Sequence, residues 1–277
     1  MINGRTELIA HLGYPTETFT APMIYNPWFA SRGVNAVVVP MGVRAADYAG
    51  FLRPLFRLSN IRGALVTMPH KIATVGLLDD AALAVRVAGS CNAIRRCADG
   101  TLCGDLFDGT GFVRGAKRSG FDFAGADCLI VGSGGVGSAI AAAIAVEKPA
   151  SIALFDIDAA AAGRLAGRLR RHFPGLPVHL RDNDPAGYAL AVNATPLGSS
   201  ADDPLPFDPT RLDGSAFVGD VVLSAALSPL LQAAARRGCR YLVGADMLFE
   251  QIPAYLEFFG YGSATPDELR AVARISY

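Results

Sequence analysis

The stretch LVTMPHK, residues 65–71, places a threonine, a proline and a lysine where an apolar strand pattern gives way to a helical one. Lys71 could be an ordinary solvated residue at a helix start, because most lysines are exposed. It could also be the reactive amine of an enzyme, since burial lowers the pKa of an ammonium group and a facing carboxylate raises it. Taken alone, the stretch favours the solvated lysine. His70 adjoins Lys71 but would point elsewhere on a helix.

A second stretch, CLIVGSGGVGSAIAAAI, carries the G-x-G-x-x-G pattern at Gly132, Gly134 and Gly137. The pattern follows an apolar strand and opens a helix, which is the context that a dinucleotide-binding loop requires. Gly132 permits a tight turn, Gly134 lets the backbone approach a pyrophosphate, and Gly137 lets helix and strand pack closely. The alternative is a glycine-rich turn without a ligand. We predict a nicotinamide dinucleotide here, with the contacts Gly132, Ser133, Gly134, Gly135, Val136 and Gly137.

The next strand ends in ALFDID, which places Asp156 19 residues after Gly137. A carboxylate at this distance can hydrogen-bond the hydroxyls of the adenine ribose, whereas an NADP site uses an arginine for the 2′-phosphate. Ile157 and Asp158 follow Asp156, so no arginine stands directly beside it. We therefore predict NAD in preference to NADP, with NADP still possible. Alternatively Asp156 caps the next helix, and both roles could hold together.

Strand-like and helix-like segments alternate along most of the chain, and this order predicts an α/β fold with mostly parallel sheets covered by helices. The predicted strands are ELIAHLG, NAVVVPMGV, GALVTM, DCLIVG, SIALFD, YALAVNAT, AFVGDVVL and RYLVGA. The predicted helices are APMIYNPWFASRG, AADYAGFLRPLFRL, HKIATVGLL, GTGFVRGAKRSG, GVGSAIAAAIAVEK, AAAAGRLAGRLRRHF, MLFEQIPAYLEFFG and TPDELRAVARISY. The series restarts near residues 105–110, which suggests a domain boundary.

The composition narrows the classes of partner. Twenty-five basic residues balance 25 acidic ones, so no electrostatic argument favours a nucleic acid or an anionic membrane. The N-terminus lacks the pattern of a signal peptide, and the longest apolar helical segment, 139–146, is too short to span a bilayer. Five cysteines without a CxxC pair and four histidines that do not cluster with them predict neither a disulfide framework nor a metal site. We expect reduced thiols in a soluble cytoplasmic protein.

Six motifs, in order, resemble those of the shikimate dehydrogenase family nearly end to end. They are GYP with APMIYN (13–26), VTMPHK (66–71), GSCNAI (89–94), GDLFDGTG (104–111), NATPLG (193–198) and GADMLFEQ (244–251). The set is specific for the family and less specific for the substrate. The resemblance implies an N-terminal α/β substrate-binding and catalytic domain at 1–107 and a Rossmann domain at 108–245, with a cleft between them. It also implies C-terminal helices at 246–277 that return to the first domain.

The resemblance makes Lys71 and Asp108 the expected catalytic residues. Oxidation of a secondary alcohol by a nicotinamide removes a hydride from carbon and a proton from oxygen. A positioned side chain that takes this proton accelerates the step by about 10²–10⁴. Asp108 could orient Lys71 and share the substrate hydroxyl, and this is compatible with a second role as a helix N-cap.

Three further residues match family positions that hydrogen-bond substrate hydroxyls: Thr67, Asn92 and Gln251. Hydroxyl and amide groups both donate and accept hydrogen bonds, which suits a neutral polyol. Taken singly, Thr67 and Asn92 would be explained by turn or cap bonding, and Gln251 by surface exposure. In the later motifs, the expected cofactor contacts are Asn193, Thr195, Val221 and Gly244.

The sequence departs from the family at positions expected to line the substrate pocket. The family has two serines before the proline that opens its first helix, and their hydroxyls hold the substrate carboxylate. This chain has Phe19 and Ala21 there. Apolar residues also replace polar family residues at Leu65, Leu106, Phe107 and Leu223. Two lost hydrogen bonds to a carboxylate, each worth about 1.5–3 kcal/mol, would weaken shikimate binding on the order of a hundredfold or more.

We therefore expect an NAD(P)-dependent oxidoreductase that acts on the CH–OH group of a small cyclic polyol such as shikimate or quinate, in aromatic amino acid biosynthesis, as a monomer or homodimer. One alternative is a family member with a less polar substrate that lacks the carboxylate. Another is a non-catalytic sensor of nucleotide and metabolite, against which the retained Lys71 and Asp108 argue. A folate-type dehydrogenase rests on analogy of fold only.

Overall fold

A computed structural model describes residues 2–200, 202–223 and 227–275. Contacts divide the chain into two compact units. The first comprises Met1–Phe107 and Ile252–Tyr277, and the second comprises Asp108–Gln251. The domain boundaries predicted from the sequence, after residues 107 and 245, remain predictions.

The first unit contains a six-stranded sheet with the strand order β2-β1-β3-β5-β6-β4. Its strands are β1 (Glu7–Gly13), β2 (Ala36–Gly42), β3 (Ile61–Val66), β4 (Asp80–Ala81), β5 (Ala93–Arg96) and β6 (Leu102–Asp105). The strands β2, β1 and β3 are parallel to one another, as predicted, but β5 is antiparallel to both of its neighbours, β3 and β6. The strands β4, β5 and β6 are too short to have shown as periodic patterns in the sequence. Because β3 and β5 run in opposite directions, residues after Val66 and residues before Ala93 lie at the same edge of the sheet.

The second unit contains a six-stranded sheet in which every pair of neighbours is parallel, with the order β12-β11-β10-β7-β8-β9. Its strands are β7 (Asp127–Val131), β8 (Ser151–Phe155), β9 (Val178–Leu180), β10 (Leu190–Asn193), β11 (Phe217–Asp220) and β12 (Arg240–Leu242). Counted from β7, this is the order 3-2-1-4-5-6 of the dinucleotide-binding fold. The order reverses between β7 and β10, so the glycine-rich loop after β7 lies at the switch point where ligands bind in such sheets.

Ten α-helices and one short 3₁₀ helix (Pro209–Arg211) accompany the strands in the described residues. They are α1 (Pro22–Ser31), α2 (Ala45–Leu55), α3 (Lys71–Val75), α4 (Leu83–Ala88), α5 (Asp108–Arg118), α6 (Gly135–Val146), α7 (Ala159–His172), α8 (Pro229–Arg236), α9 (Gly244–Phe259) and α10 (Pro266–Val272). The helix α9 begins in the second unit and ends in the first. Within the described part of the chain, none of the helices has the length and apolar character needed to cross a membrane.

Three glycines let the helix α5 pack closely inside the second unit. A Cβ atom on Gly109 would collide with the backbone carbonyl of Ala139 in α6. One on Gly111 would lie 2.5 Å from the carbonyl oxygen of Met247 in α9. One on Gly115 would lie 2.8 Å from Leu242 on β12. These close contacts leave α5 no room to shift, so the position of its first residue, Asp108, is fixed.

The prediction of reduced thiols is wrong for two of the five cysteines. Cys97 and Cys103 form a disulfide, with their Cα atoms 6.3 Å apart. Cys97 directly follows β5 and Cys103 lies on β6, so the antiparallel hairpin brings them together, and their spacing in the sequence did not reveal it. Cys91, Cys128 and Cys239 are buried free thiols.

We expect Gly109→Ala to destabilise the fold by about 1–3 kcal/mol, because the new methyl group meets a backbone carbonyl that cannot move aside. Urea unfolding would measure the change. Gly167→Ala in α7 is the matched control, since a Cβ there meets nothing within 4 Å. It should be neutral or stabilise the protein by up to about 1 kcal/mol. Equal stability of the two variants would contradict the tight packing of α5 on α6.

Candidate active site

Lys71 is the first residue of α3, five residues beyond the end of β3. It is partly buried. Its carbonyl oxygen accepts a hydrogen bond from the N–H of Cys91 at 2.9 Å. This bond fixes the start of α3 against the segment that leads into β5. Asn92 is the residue that follows Cys91 in this segment.

His70, next to Lys71, is occupied elsewhere in the fold. Its Nε2 lies 2.8 Å from the carbonyl oxygen of Val43, and its ring stacks on that of Tyr48 with the centroids 3.9 Å apart. The Tyr48 hydroxyl is in turn hydrogen-bonded to Thr74 at 2.7 Å. Burial lowers the pKa of His70, and its bond to Val43 opposes this shift. His70 therefore fixes the turn that carries Lys71.

Asn92 is fully enclosed and is held by three hydrogen bonds. Its backbone carbonyl accepts from the N–H of Val66 at 2.8 Å, and its own N–H donates to Asp105 at 3.1 Å. Its Oδ1 accepts from the N–H of Phe107 at 3.0 Å, which assigns the orientation of the amide. Its buried Nδ2 has no partner among the described residues. Since buried donors are normally paired, this fixed N–H group is available to a ligand.

Asp108 is the first residue of α5 and is only 6% exposed. It directly follows Phe107, whose N–H is held by Asn92. Gln251 lies within α9 in the second unit, where its backbone packs on Gly111 of α5. The Gln251 Oε1 is buried without a hydrogen-bond partner in the described chain. It is therefore not the plain surface residue of the alternative interpretation.

The apolar residues at polar family positions have different surroundings. Leu65, Leu106 and Phe107 are buried. The Phe107 ring makes edge contacts with the rings of Tyr255 and Phe258, at centroid distances of 4.8 and 5.6 Å. These residues are therefore part of the hydrophobic core. Leu223, in contrast, is half exposed.

Phe19 extends over the backbone of β1. A Cβ atom on Gly13 would lie 2.5 Å from the Thr67 methyl group and 2.7 Å from the tip of the Phe19 ring. Phe19 and Thr67 therefore meet over Gly13, and Phe19 is only partly buried. The aromatic ring adjoins one of the residues predicted to bind substrate.

His11 belongs to the same cluster and was missed by the sequence analysis. It lies on β1, between β2 and β3 in the sheet, and is 8% exposed. Its ring is 4.1 Å from that of Phe19 between centroids, and its buried Nδ1 has no partner in the described chain. Burial, and secondarily the charge of Lys71, lowers the pKa of His11 to about 4. A histidine inside an otherwise apolar strand was the signal that could have identified it.

The glycine-rich loop has the geometry of a phosphate cradle. Gly132 has φ +104°, a conformation that glycine adopts readily. A Cβ on Gly137 would collide with the carbonyl of Gly132, so strand and helix meet at van der Waals distance there. Around Gly134 and Gly135 there is open space. The backbone at the start of α6 is thus accessible to an anionic group, as a dinucleotide pyrophosphate requires.

Asp156 is linked to this loop. Its Oδ2 accepts from the N–H of Ser133 at 2.6 Å, and its Oδ1 accepts from the N–H of Asp158 at 2.8 Å. The helix α7 is capped instead by Asp158, whose side chain accepts from Ala160. The alternative role of Asp156 as the cap of that helix is therefore wrong. The side chain of Ile157 is almost fully exposed beside it.

Asn193 and Thr195, both predicted cofactor contacts, bond mainly to each other and to the loop. Asn193 Nδ2 donates to Leu197 O at 2.9 Å and to Asp220 Oδ1 at 3.0 Å. Its Oδ1 accepts from the hydroxyl of Thr195 at 2.6 Å. Asn193 is fully buried. Its amide therefore shapes the loop after β10, and a direct contact with the cofactor stays a prediction.

Val221 and Gly244, the last two predicted contacts, adjoin one another. A Cβ on Gly244 would lie 2.7 Å from the carbonyl oxygen of Val221. The start of α9 thus packs on the backbone just after β11. The absence of a side chain at Gly244 permits this approach.

Comparison with known proteins identifies the family of the chain. A shikimate dehydrogenase (NADP(+)) of Rubrobacter xylanophilus is 34% identical over 258 residues, which cover 90% of this chain and 89% of the relative. The chain belongs to the shikimate dehydrogenase family. A family model described as the shikimate dehydrogenase substrate binding domain matches residues 12–94.

Solved structures of the shikimate dehydrogenase family confirm the fold class. Shikimate 5-dehydrogenase of Listeria monocytogenes, in complex with shikimate and NAD, superimposes with a TM-score of 0.91 at 27% identity, covering 98% of this chain and 97% of that one. Quinate dehydrogenase of Corynebacterium glutamicum, in complex with NAD, gives a TM-score of 0.87 at 26% identity and covers 96% and 98%. As a member of this family, the protein is an oxidoreductase of the type that acts on CH–OH groups.

Acid should destabilise the protein through His11. The unfolded imidazole titrates near pH 6.5, whereas the folded one has a pKa of about 4. Between these values the unfolded chain binds a proton that the folded chain does not, so stability falls as the pH drops through 6.5 and the loss is complete near 4. Between pH 7 and pH 5 the contribution is about 2 kcal/mol.

Urea unfolding at the two pH values would measure this effect. In His11→Leu, the stability lost between pH 7 and pH 5 should be smaller by about that amount. His70 contributes to the loss in the same direction in both proteins. The control is His179→Leu, which replaces an exposed histidine on β9 and should leave the loss unchanged. An undiminished loss in His11→Leu would show that His11 is not held neutral by burial.

Proposed function

We propose that the protein catalyses NAD(P)-dependent hydride transfer between a nicotinamide and the secondary alcohol or ketone of a small cyclic polyol of the shikimate or quinate type. The observation that carries the proposal is the unpartnered N–H group of Asn92. Hydrogen bonds hold this residue between the end of β3 and the start of α3, so a rigid donor adjoins Lys71 and Thr67.

The second unit would hold the dinucleotide. The start of α6, with open space at Gly134 and Gly135, would receive the pyrophosphate. Asp156, fixed by the N–H groups of Ser133 and Asp158, would accept hydrogen bonds from the adenine ribose. The cofactor, when bound, supplies or accepts the hydride. All other chemistry falls to side chains of this chain.

Thr67 and Asn92 would orient the ring hydroxyls of the substrate, and Gln251 would offer its buried Oε1 as an acceptor. The Lys71 amine would exchange the proton of the reacting alcohol. Asp108, at the buried N-terminus of α5, would orient that amine and share the hydroxyl. Fixed groups of this kind lower the barrier because they are already in place when charge develops on the alcohol oxygen.

A less polar substrate is the second candidate, and the position of Phe19 favours it. The ring meets Thr67 over Gly13, where the family pattern has a serine hydroxyl that holds a carboxylate. An aromatic ring offers no donor to a carboxylate. The catalytic groups are retained while the acid-binding group is replaced, which suits a related alcohol without that charge.

Removal of either catalytic group should lower kcat without preventing cofactor binding. For Lys71→Met and Asp108→Asn, we expect kcat to fall about 10²–10⁴-fold, because proton transfer loses its positioned partner. Calorimetry should find the affinity for NAD nearly unchanged. Lys117→Met is the control, since Lys117 is exposed and paired with Glu147, and it should keep full activity. Unchanged kcat in both site variants would contradict the assignment. If the native protein binds NAD but turns over no polyol, the result would support the alternative of a non-catalytic sensor of nucleotide and metabolite.

The cofactor preference should depend on Asp156. The native protein should have a higher kcat/KM with NAD than with NADP, because the carboxylate faces the ribose and repels a 2′-phosphate. Asp156→Ser combined with Ile157→Arg should shift the ratio toward NADP by about 10–100-fold, as expected for one or two charged hydrogen bonds. Ile157→Arg alone is the control, because its difference from the double variant measures the effect of the Asp156 carboxylate. Faster turnover of the native protein with NADP at equal concentration would show that NAD is not preferred.

Restoring the two family serines should improve binding of an acidic substrate. Phe19→Ser with Ala21→Ser should lower KM for shikimate about tenfold or more, because each new hydroxyl can donate to the carboxylate. Steady-state reduction of NAD would report the change. Thr18→Ser, which retains a hydroxyl at an exposed neighbouring position, is the control. An unaltered KM would mean that the carboxylate is held elsewhere.

A further inference from the structure

The imidazole of His11 has no role in the catalytic scheme above, and the fold does not satisfy it. It lies in the middle of β1, opposite Pro40 on β2 and Leu65 on β3. Its Nδ1 is buried without a hydrogen-bond partner in the described residues. Buried polar nitrogens are nearly always paired, and an unpaired one is unfavourable. A leucine at this position would avoid the free-energy cost of the unpaired nitrogen. The histidine is therefore explained more simply if a bound molecule supplies the missing hydrogen-bond partner.

The surroundings of His11 indicate what that partner is. His11 and Gly13 point to the same face of β1, because side chains alternate along a strand. Over Gly13 lie the Thr67 methyl group and the tip of the Phe19 ring, and the Phe19 ring also packs on that of His11. The charge of Lys71 is close enough to act on the imidazole. His11 thus adjoins the groups proposed to bind and oxidise the alcohol.

The side chains of His11 and Phe19 are chemically suited to an uncharged oxygen of a ligand. A neutral imidazole carries one donor and one acceptor nitrogen, and its tautomer decides which role Nδ1 takes. A hydroxyl can meet either role, and a carbonyl oxygen can accept from the N–H tautomer. A carboxylate oxygen can also accept from that tautomer, but burying its charge costs more solvation free energy, and Phe19 offers it no second donor. Burial and the cationic neighbour Lys71 both keep the ring neutral at pH 7.

We propose that His11 is a specificity-determining residue whose Nδ1 hydrogen-bonds an uncharged hydroxyl or carbonyl oxygen of the substrate. Together with Phe19, it favours a neutral cyclic polyol over the same ring that carries a carboxylate. This inference rests on the function proposed above, because it assigns the substrate class of that same site.

The test compares two substrates that differ in charge, and by one methyl group, at a single position: shikimate and its methyl ester. NAD reduction by the full-length protein is measured for both at pH 7, with quinate and its methyl ester as a second pair. The native protein should have a kcat/KM for the ester at least about tenfold higher than for the acid. In His11→Leu, kcat/KM for the ester should fall about tenfold, the equivalent of one hydrogen bond. The loss should appear in KM rather than kcat, as for uniform binding.

Two further variants separate a ligand contact from a structural role. His11→Gln keeps a side chain that donates and accepts, so it should recover part of the ester activity that His11→Leu loses. His179→Leu, an exposed histidine, should match the native protein. His11→Leu should be at least as stable as the native protein at pH 7, since the substitution removes an unpaired buried nitrogen.

A binding measurement separates failure of this inference from failure of the proposed function. In protein labelled with ¹⁵N-histidine, the ester and NADH together should shift the Nδ1 resonance that is missing in His11→Leu. Turnover of both substrates with no effect of His11→Leu, or a clear preference for the acid, would overturn the inference and leave the proposed function intact. No turnover and no shift with any of the four compounds would overturn both.

Discussion

Three hydrogen bonds of Asn92 and one of the adjacent Cys91 are the constraint on which the predicted substrate-binding residues of the first unit depend. They join the end of β3, the segment before β5, the end of β6 and, through the neighbouring Cys91, the start of α3. Residues from four separate parts of the chain are thereby fixed relative to one another. Lys71 and Thr67 gain their positions from this arrangement. A buried network of this kind is stabilising only when it is satisfied, and here one N–H group is left over.

The second unit contains a comparable buried hydrogen-bond network, centred on Asp220 at the end of β11. Asp220 accepts from Asn193 at 3.0 Å and from Ser228 at 2.5 Å. Burial raises the pKa of Asp220, and these hydrogen bonds lower it, so burial and pairing oppose each other. The network fixes the loop after β10 beside the glycine-rich turn, where a Cβ on Gly132 would lie 2.7 Å from Ala194. The shape of the predicted cofactor site therefore depends on polar groups that need not touch the cofactor.

Among the buried polar groups of the first unit that lack a hydrogen-bond partner in the described residues, we assign different functions to Nδ2 of Asn92 and Nδ1 of His11. The spare donor of Asn92 belongs to a motif that the whole family pattern shares. The spare nitrogen of His11 accompanies Phe19, a residue at which this chain departs from that pattern. In the proposed scheme, alcohol oxidation and the choice of alcohol are therefore assigned to different residues, so that one can change while the other is retained.

The sequence by itself determined the α/β class, the glycine-rich loop, the position of Asp156 after the next strand and the family, because these depend on local order and spacing. It did not reveal the antiparallel β5, the pairing of Cys97 with Cys103 or the buried, unpaired Nδ1 of His11. Those features depend on which distant segments become neighbours. A histidine in a strand has the same sequence signature whether its nitrogen is paired or not, and only the tertiary packing around it, which includes the Phe19 ring, decided which.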